Sequence, residues 1–208
     1  MKRLFQTIFA AVAGLLASVF AGPPSFRVRT CDVAFNYRMG AGFPGDVNRM
    51  HPASIVPGLL DPTNNFLGYG QVALFGDGTT GANNTYRALV AADGSATAIK
   101  AAGLIVRPYP TQQTTGGMNA TIGAAVPPTS GVADFLTSGF MMVKMKAGTT
   151  VKKGGAVHVW VAATSGANIQ GEFAAAASTT NTVTLANARY NGPADALGNV
   201  EIEIWPAV

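Results

Sequence analysis

The 208-residue chain holds 14 Lys and Arg against 10 Asp and Glu, with 12% charged and 48% hydrophobic residues, 25 Gly and 12 Pro. This balance is too apolar for a disordered chain and too poor in charge for a freely soluble monomer, and its Gly and Pro favour turns over helices. The excess charge is local: residues 1–50 carry Lys2, Arg3, Arg27, Arg29, Arg38 and Arg49 against Asp32 and Asp46, whereas residues 51–208 are neutral.

A basic N-terminal quarter calls for an acidic partner, and six scattered cations do not choose among nucleic acid, anionic lipid and an acidic protein rim. Cys31 is the only cysteine, which excludes an intrachain disulfide and a multi-cysteine zinc site.

Met1-Lys2-Arg3 precedes an apolar run from Ile8 to Ala21. Two readings stand for it. One is a secretory signal peptide over residues 1–21, cleaved on export. The other, adopted here, is a retained docking helix within residues 1–25. Leu4, Ile8, Ala11, Leu15 and Val19 recur at helical spacing, and Pro23-Pro24 stops the helix. Leu4, Ile8, Leu15 and Val19 are then self-association candidates. Gly14 and Ser18 interrupt a run already short for a membrane span.

Residues 26–68 are expected to form a basic extended arm followed by a Gly/Pro-rich interface loop, since Gly42-Phe43-Pro44-Gly45-Asp46, Pro52, Pro57 and Asp61-Pro62 leave no room for a helix. A β-sandwich body is expected over 69–208. Strands are predicted at Tyr69–Phe75, Thr85–Val90 and Leu104–Tyr109, with Gly76-Asp77-Gly78 and Asp93-Gly94 as turns.

The C-terminal half alternates more clearly. Met141, Val143 and Met145 oppose Met142, Lys144 and Lys146; Val157, Val159 and Val161 oppose His158 and Trp160; Ile202 and Ile204 oppose Glu201 and Glu203. Thr182–Leu185 is a further strand, and Ala174–Ala177 is read as a turn or bulge. Short, regularly spaced strands predict an all-β sandwich, jelly roll or barrel.

No residue pattern carries catalysis. His51 and His158 belong to no metal-spaced cluster. Asp77 and Asp93 precede Gly and Asp61 precedes Pro, which are turn positions. Asp77, Asn83 and Asn84 lack the ligand spacing of a calcium loop. No phosphate loop, nucleophile elbow or dinucleotide turn is present. Lys144, Lys146, Lys152 and Lys153 lack the interleaved aromatics of a single-strand binder and read as a solvated hairpin. The expectation is a non-enzymatic protein without metal, cofactor or small-molecule substrate, and without direct nucleic-acid or membrane contact.

Three blocks carry a resemblance. Gly42-Phe43-Pro44-Gly45-Asp46-Val47-Asn48-Arg49, His51-Pro52-Ala53 through Leu59-Leu60-Asp61 and Tyr69-Gly70-Gln71 form the first. Gly131-Val132-Ala133-Asp134-Phe135 with Val151–Val161 forms the second, and Tyr190-Asn191-Gly192-Pro193-Ala194-Asp195 through Trp205 the third. Over residues 36–205 the chain resembles the structural cement proteins that decorate tailed-phage capsids.

The resemblance implies a jelly-roll-like body that assembles as a dimer or trimer on the outer capsid surface and clamps neighbouring copies of the major capsid protein. Arg38 and Arg49 are then the charged candidates for capsid contact, with Asp46 beside them. Phe43 and Tyr69 are candidate aromatic anchors, a core role for both being equally open. The apolar segment 1–22 is a departure from that family. An exported, adhesin-like β-sandwich with residues 1–21 removed is the alternative.

Overall fold

The protein is described by a computed structural model over residues 42–49, 52–108, 126–146 and 149–207. All of these belong to one unit, Met39–Val208. Leu4, Ile8, Leu15, Val19, Arg38 and His51 lie outside the described residues.

The strands are β1 (Ser54–Leu59), β2 (Val72–Phe75), β3 (Tyr86–Ala88), β4 (Ala98–Ile99), β5 (Gly103–Ile105), β6 (Val132–Lys144), β7 (Ala156–Trp160), β8 (Phe173–Ala174), β9 (Thr182–Tyr190) and β10 (Asn199–Ile204). A 3-10 turn at Ala91–Ser95 accompanies them. The strands join in the order β3-β2-β5-β6-β10-β9-β7-β8, with β1 on β6 and β4 on β9. Every strand pairing is antiparallel except β4 with β9. The all-β expectation takes the form of one strongly curled sheet.

The 13-residue β6 organises it. In its first half Leu136 lies opposite both Ile55 of β1 and Leu104 of β5; in its second half Met141 lies opposite Ile202 of β10. The change of partners falls at Gly139, whose φ of 134° suits glycine and whose added Cβ would lie 2.9 Å from the Pro52 carbonyl oxygen. Each end of the sheet then curls back. Leu60, just beyond β1, bridges to Tyr86 of β3, and Met145, just beyond β6, bridges to Phe173 of β8. Strand edges are thereby shortened without a fully closed barrel.

Neighbouring residues of the central strands face different cores. Val72, Leu104 and Leu136 enter the larger cluster with Met141, Val143, Val159, Tyr190 and Ile202, while Ala73, Ile105 and Phe135 enter a smaller one with Leu60 and Phe66. The Tyr86 ring stacks on Phe135 in the smaller cluster, centroids 4.1 Å apart.

The outward faces predicted for Glu201 and Glu203 and for His158 and Trp160 are half-buried, with the intervening Ile and Val residues fully buried. Met142 departs from the predicted alternation: it is 1% exposed. The segment 42–48 pairs along the edge of β6, with Gly45 N–H donating to the Met142 carbonyl (2.8 Å) and Met142 N–H to the Asp46 carbonyl (2.9 Å), and Gly42 lies so close that an added Cβ would stand 3.1 Å from Met142 Cγ. Residues 54–59, expected within the interface loop, form β1. Ala174, expected in a turn or bulge, sits in the short strand β8, where pairing with His158 of β7 supplies the order that local sequence does not.

Asn187 is the main buried polar tie. Its Oδ1 accepts the Ala101 N–H (2.8 Å), and its Nδ2 donates to the carbonyls of Ala101 (3.0 Å) and Trp205 (2.7 Å). It links the β4–β5 connection to β9 and to the chain beyond β10. Asn187→Leu keeps the number of side-chain heavy atoms but orphans these buried groups, and is expected to cost about 3 kcal/mol, read as a lower urea midpoint with an unchanged slope. Gly139→Ala is expected to cost about 1–3 kcal/mol by the same measurement, through forced backbone strain.

Candidate functional site

The sequence Phe43-Pro44-Gly45-Asp46 builds a type II turn: proline presets the first central φ, glycine supplies the second at 91°, and Asp46 N–H donates to the Phe43 carbonyl (3.0 Å). The Asp46 carboxylate accepts the Phe43 N–H (2.8 Å) and closes the turn from the other side. Gly45 is also required by space, since a Cβ there would lie 2.6 Å from Cβ of Tyr69. Its carbonyl accepts the Arg107 N–H (2.9 Å), so the turn is held between β6 and the end of β5.

Arg107 is the hub. Its guanidinium lies 4.7 Å from the centre of the Phe43 ring, and its Nη1 is 4.0 Å from Asp46 Oδ1. The arginine side chain is buried, 8% exposed, whereas Phe43 is 45% exposed. A buried cation beneath an exposed ring holds that ring in place at the surface. Tyr69 is half-buried beside it, and burial raises its phenol above the ordinary value against the pull of Arg107.

Three of the candidates, Phe43, Asp46 and Tyr69, therefore meet around one arginine. Arg107 is visible in the sequence only as a residue near the end of a predicted strand, with no local signal to mark it.

Arg49 stands elsewhere. It pairs with Glu201 of β10 (2.8 Å) and lies over the Phe140 ring at 4.2 Å. The Glu201 carboxylate also accepts Asn48 Nδ2 (3.2 Å) and Asn191 Nδ2. Burial works against ionisation of Glu201, but these donors and the Arg49 charge outweigh it and hold the carboxyl below its ordinary value of 4.5. Arg49 thus serves as a clamp that fastens segment 42–49 to β10.

Several further ionisable groups are structural in their contacts. Asp77 Oδ1 accepts the amides of Thr79 (2.8 Å) and Thr80 (2.7 Å), and Asp61 accepts that of Thr63 (2.8 Å), as turn residues do. Asp93 does more than turn the chain, since it forms a two-pronged pair with the buried Arg87 at 2.8 and 2.9 Å. His158 Nδ1 is 2.9 Å from Thr184 Oγ1, and burial lowers its pKa. Among the described residues, no group of three His, Cys, Asp or Glu side chains is placed to hold a metal ion.

A second surface feature is apolar. On β1 and the start of β6, Ile55, Leu59 and Val132 are 46, 52 and 66% exposed, with Leu59 directly opposite Val132.

These features define an all-β body whose surface chemistry is contact: an exposed, braced aromatic and an uncovered apolar strand pair. The sequence matches the family of the XM1 gp53 minor capsid protein over residues 33–204, and the chain belongs to that family. It is a phage capsid structural protein and associates with the capsid shell of the virion. The resemblance of its sequence blocks to a capsid-associated family is borne out. A solved structure, the capsid of Myoviridae phage XM1, contains a chain with the same fold: TM-score 0.56 at 15% identity, covering 83% of this chain and 95% of that one. No curated protein matches.

The Glu201 clamp has a pH signature. Because the folded carboxyl titrates below the unfolded value, its contribution to stability is complete above about pH 4.5 and is lost as pH falls through the folded pKa. Glu201→Gln is expected to lower the urea midpoint at pH 7, and the gap to the unsubstituted chain is expected to narrow at pH 3.

Proposed function

We propose that the protein is a non-enzymatic cement, or decoration, protein with the jelly-roll-like body its family resemblance implies. It binds the outer surface of the major capsid protein shell and bridges neighbouring subunits there. The observation that carries this reading is Phe43: a large aromatic, 45% exposed, on a turn braced by proline, Asp46 and Arg107. Holding an apolar ring in water is unfavourable for a free protein, and pre-ordering it reduces the entropy lost on docking. Aromatic anchors of this sort dominate interface energetics.

Copies join as a dimer or trimer through strand edges, for which the exposed strip of Ile55, Leu59 and Val132 is the supporting surface. Several such contacts on one rigid shell reinforce one another by avidity, so a shell under internal pressure is stiffened without new chemistry. Membership of a capsid family favours this over the exported, adhesin-like alternative. Arg38 remains a candidate for capsid contact from the basic arm.

Binding to purified capsids that lack the protein tests the proposal. Phe43→Ala is expected to bind about 30-fold more weakly with its fold intact, because a hot-spot aromatic contributes roughly 2 kcal/mol. Binding equal to that of the unsubstituted chain removes Phe43 from the interface. An interior position in image reconstructions of the virion would refute the outer-surface assignment.

A further inference from the structure

Beside the Phe43 turn lies a cleft of about 250 Å³, walled by the Leu67–Gln71 crossing on one side and Ile169–Phe173 on the other. Its rim is apolar, with Leu67, Val126 and Ile169 at 53, 63 and 40% exposure. Tyr69 lines it as well, and Glu172 is the carboxylate it contains.

Glu172 differs in its partners from most carboxylates of the body. Asp46, Asp93, Glu201 and Glu203 each face an arginine, and Asp61, Asp77 and Asp195 accept amide donors. Among the described residues, the Glu172 side chain has neither kind of partner. Its backbone is fixed, with the carbonyl accepting Trp160 N–H (2.9 Å) and its own N–H donating to Ile169 (3.1 Å). Lys144 also lines the cleft, but its Nζ donates to the Leu197 carbonyl (2.5 Å) and acts on Glu172 through its charge, without an ion pair between them. Burial accordingly raises the Glu172 carboxyl above its ordinary 4.5, with Lys144 opposing.

A half-buried carboxylate beside a tyrosine ring, under an apolar rim, has the chemistry of a receptor for a long cationic side chain. The charge meets the carboxylate, and the methylene stem lies along the rim. We propose that this cleft receives an arginine or lysine projecting from a capsid shell subunit. The inference rests on the capsid-binding reading above and specifies the chemistry of the partner. Charge complementarity selects the occupant, since an arriving cation would supply the partner that Glu172 lacks within the described body. Phe43 and this cleft, which Pro44 also lines, then form one continuous docking face.

The test compares the full chain with its Glu172→Gln and Glu172→Lys variants. Free Glu172→Gln at pH 7 is expected to unfold at an equal or higher urea midpoint, because a poorly solvated charge is gone. Its binding to capsids is expected to weaken by about tenfold or more, and Glu172→Lys to abolish binding. In parallel, a photo-crosslinker on Leu67→Cys in a Cys31→Ser chain, with Glu172 intact, is expected to label a shell-protein peptide bearing Arg or Lys at the crosslinked position.

Unsubstituted chain that binds while Glu172→Gln binds equally well overturns the cleft assignment alone. So does a crosslink to a second copy of this chain, or to a shell peptide without a basic residue. If the unsubstituted chain itself does not bind capsids, the capsid-binding reading fails, and the cleft assignment with it.

Discussion

The body depends on β6 being buried on both faces while bending once. A strand shared by two differently directed parts of a sheet must change its hydrogen-bonding partners midway, and it does so at Gly139, where the approach of Pro52 leaves no room for a side chain. Everything else is arranged around that strand. Its Phe135 and Leu136 enter different cores, its second half carries β10, and its remaining side is covered by the turn that presents Phe43. Hydrophobic burial on both faces supplies the driving force, and the bend lets a single sheet curl round two clusters.

Among the described residues, eight charged side chains meet in four arginine–carboxylate pairs. Arg87 with Asp93, Arg49 with Glu201, Arg189 with Glu203 and Arg107 with Asp46 join segments distant in the chain or stiffen local turns. The two whose arginines are exposed, Arg49 with Glu201 and Arg189 with Glu203, add little net stability. The effect of the pairs here is positional, since the Arg49 clamp and the Arg107 hub together hold segment 42–49 against the sheet. Exposed apolar residues at Phe43, Ile55, Leu59 and Leu67 are what such a scaffold presents outward. For a capsid structural protein this division makes physical sense, because charge sets geometry and apolar surface awaits a partner.

Strands with one solvated side were legible in the sequence. β7 and β10 alternate buried aliphatics with half-buried polar or aromatic residues, and the matching period of two marks them. Where both faces are buried the period vanishes. Leu104-Ile105 and Phe135-Leu136 are adjacent apolar residues serving opposite cores, and Met142 is covered by residues about a hundred positions earlier. β1 was hidden for another reason: Pro57 and Gly58 read as loop, yet a strand paired on one side tolerates both.

The candidate site divides in the same way. Pro44, Gly45 and Asp46 dictate their turn locally, because a preset φ, a positive φ and a side-chain acceptor fall at the positions that turn type requires. The sequence alone therefore determined an all-β chain without a legible catalytic pattern, a strongly turned loop with an aromatic at its start, and a likeness to capsid proteins. Only the tertiary structure decided that Arg107 would lie beneath Phe43, that Arg49 would be engaged by Glu201, and that Glu172 would stand in a cleft. Those outcomes join residues from separate strands, and pairing register and curl, which no local pattern encodes, determine which side chains meet.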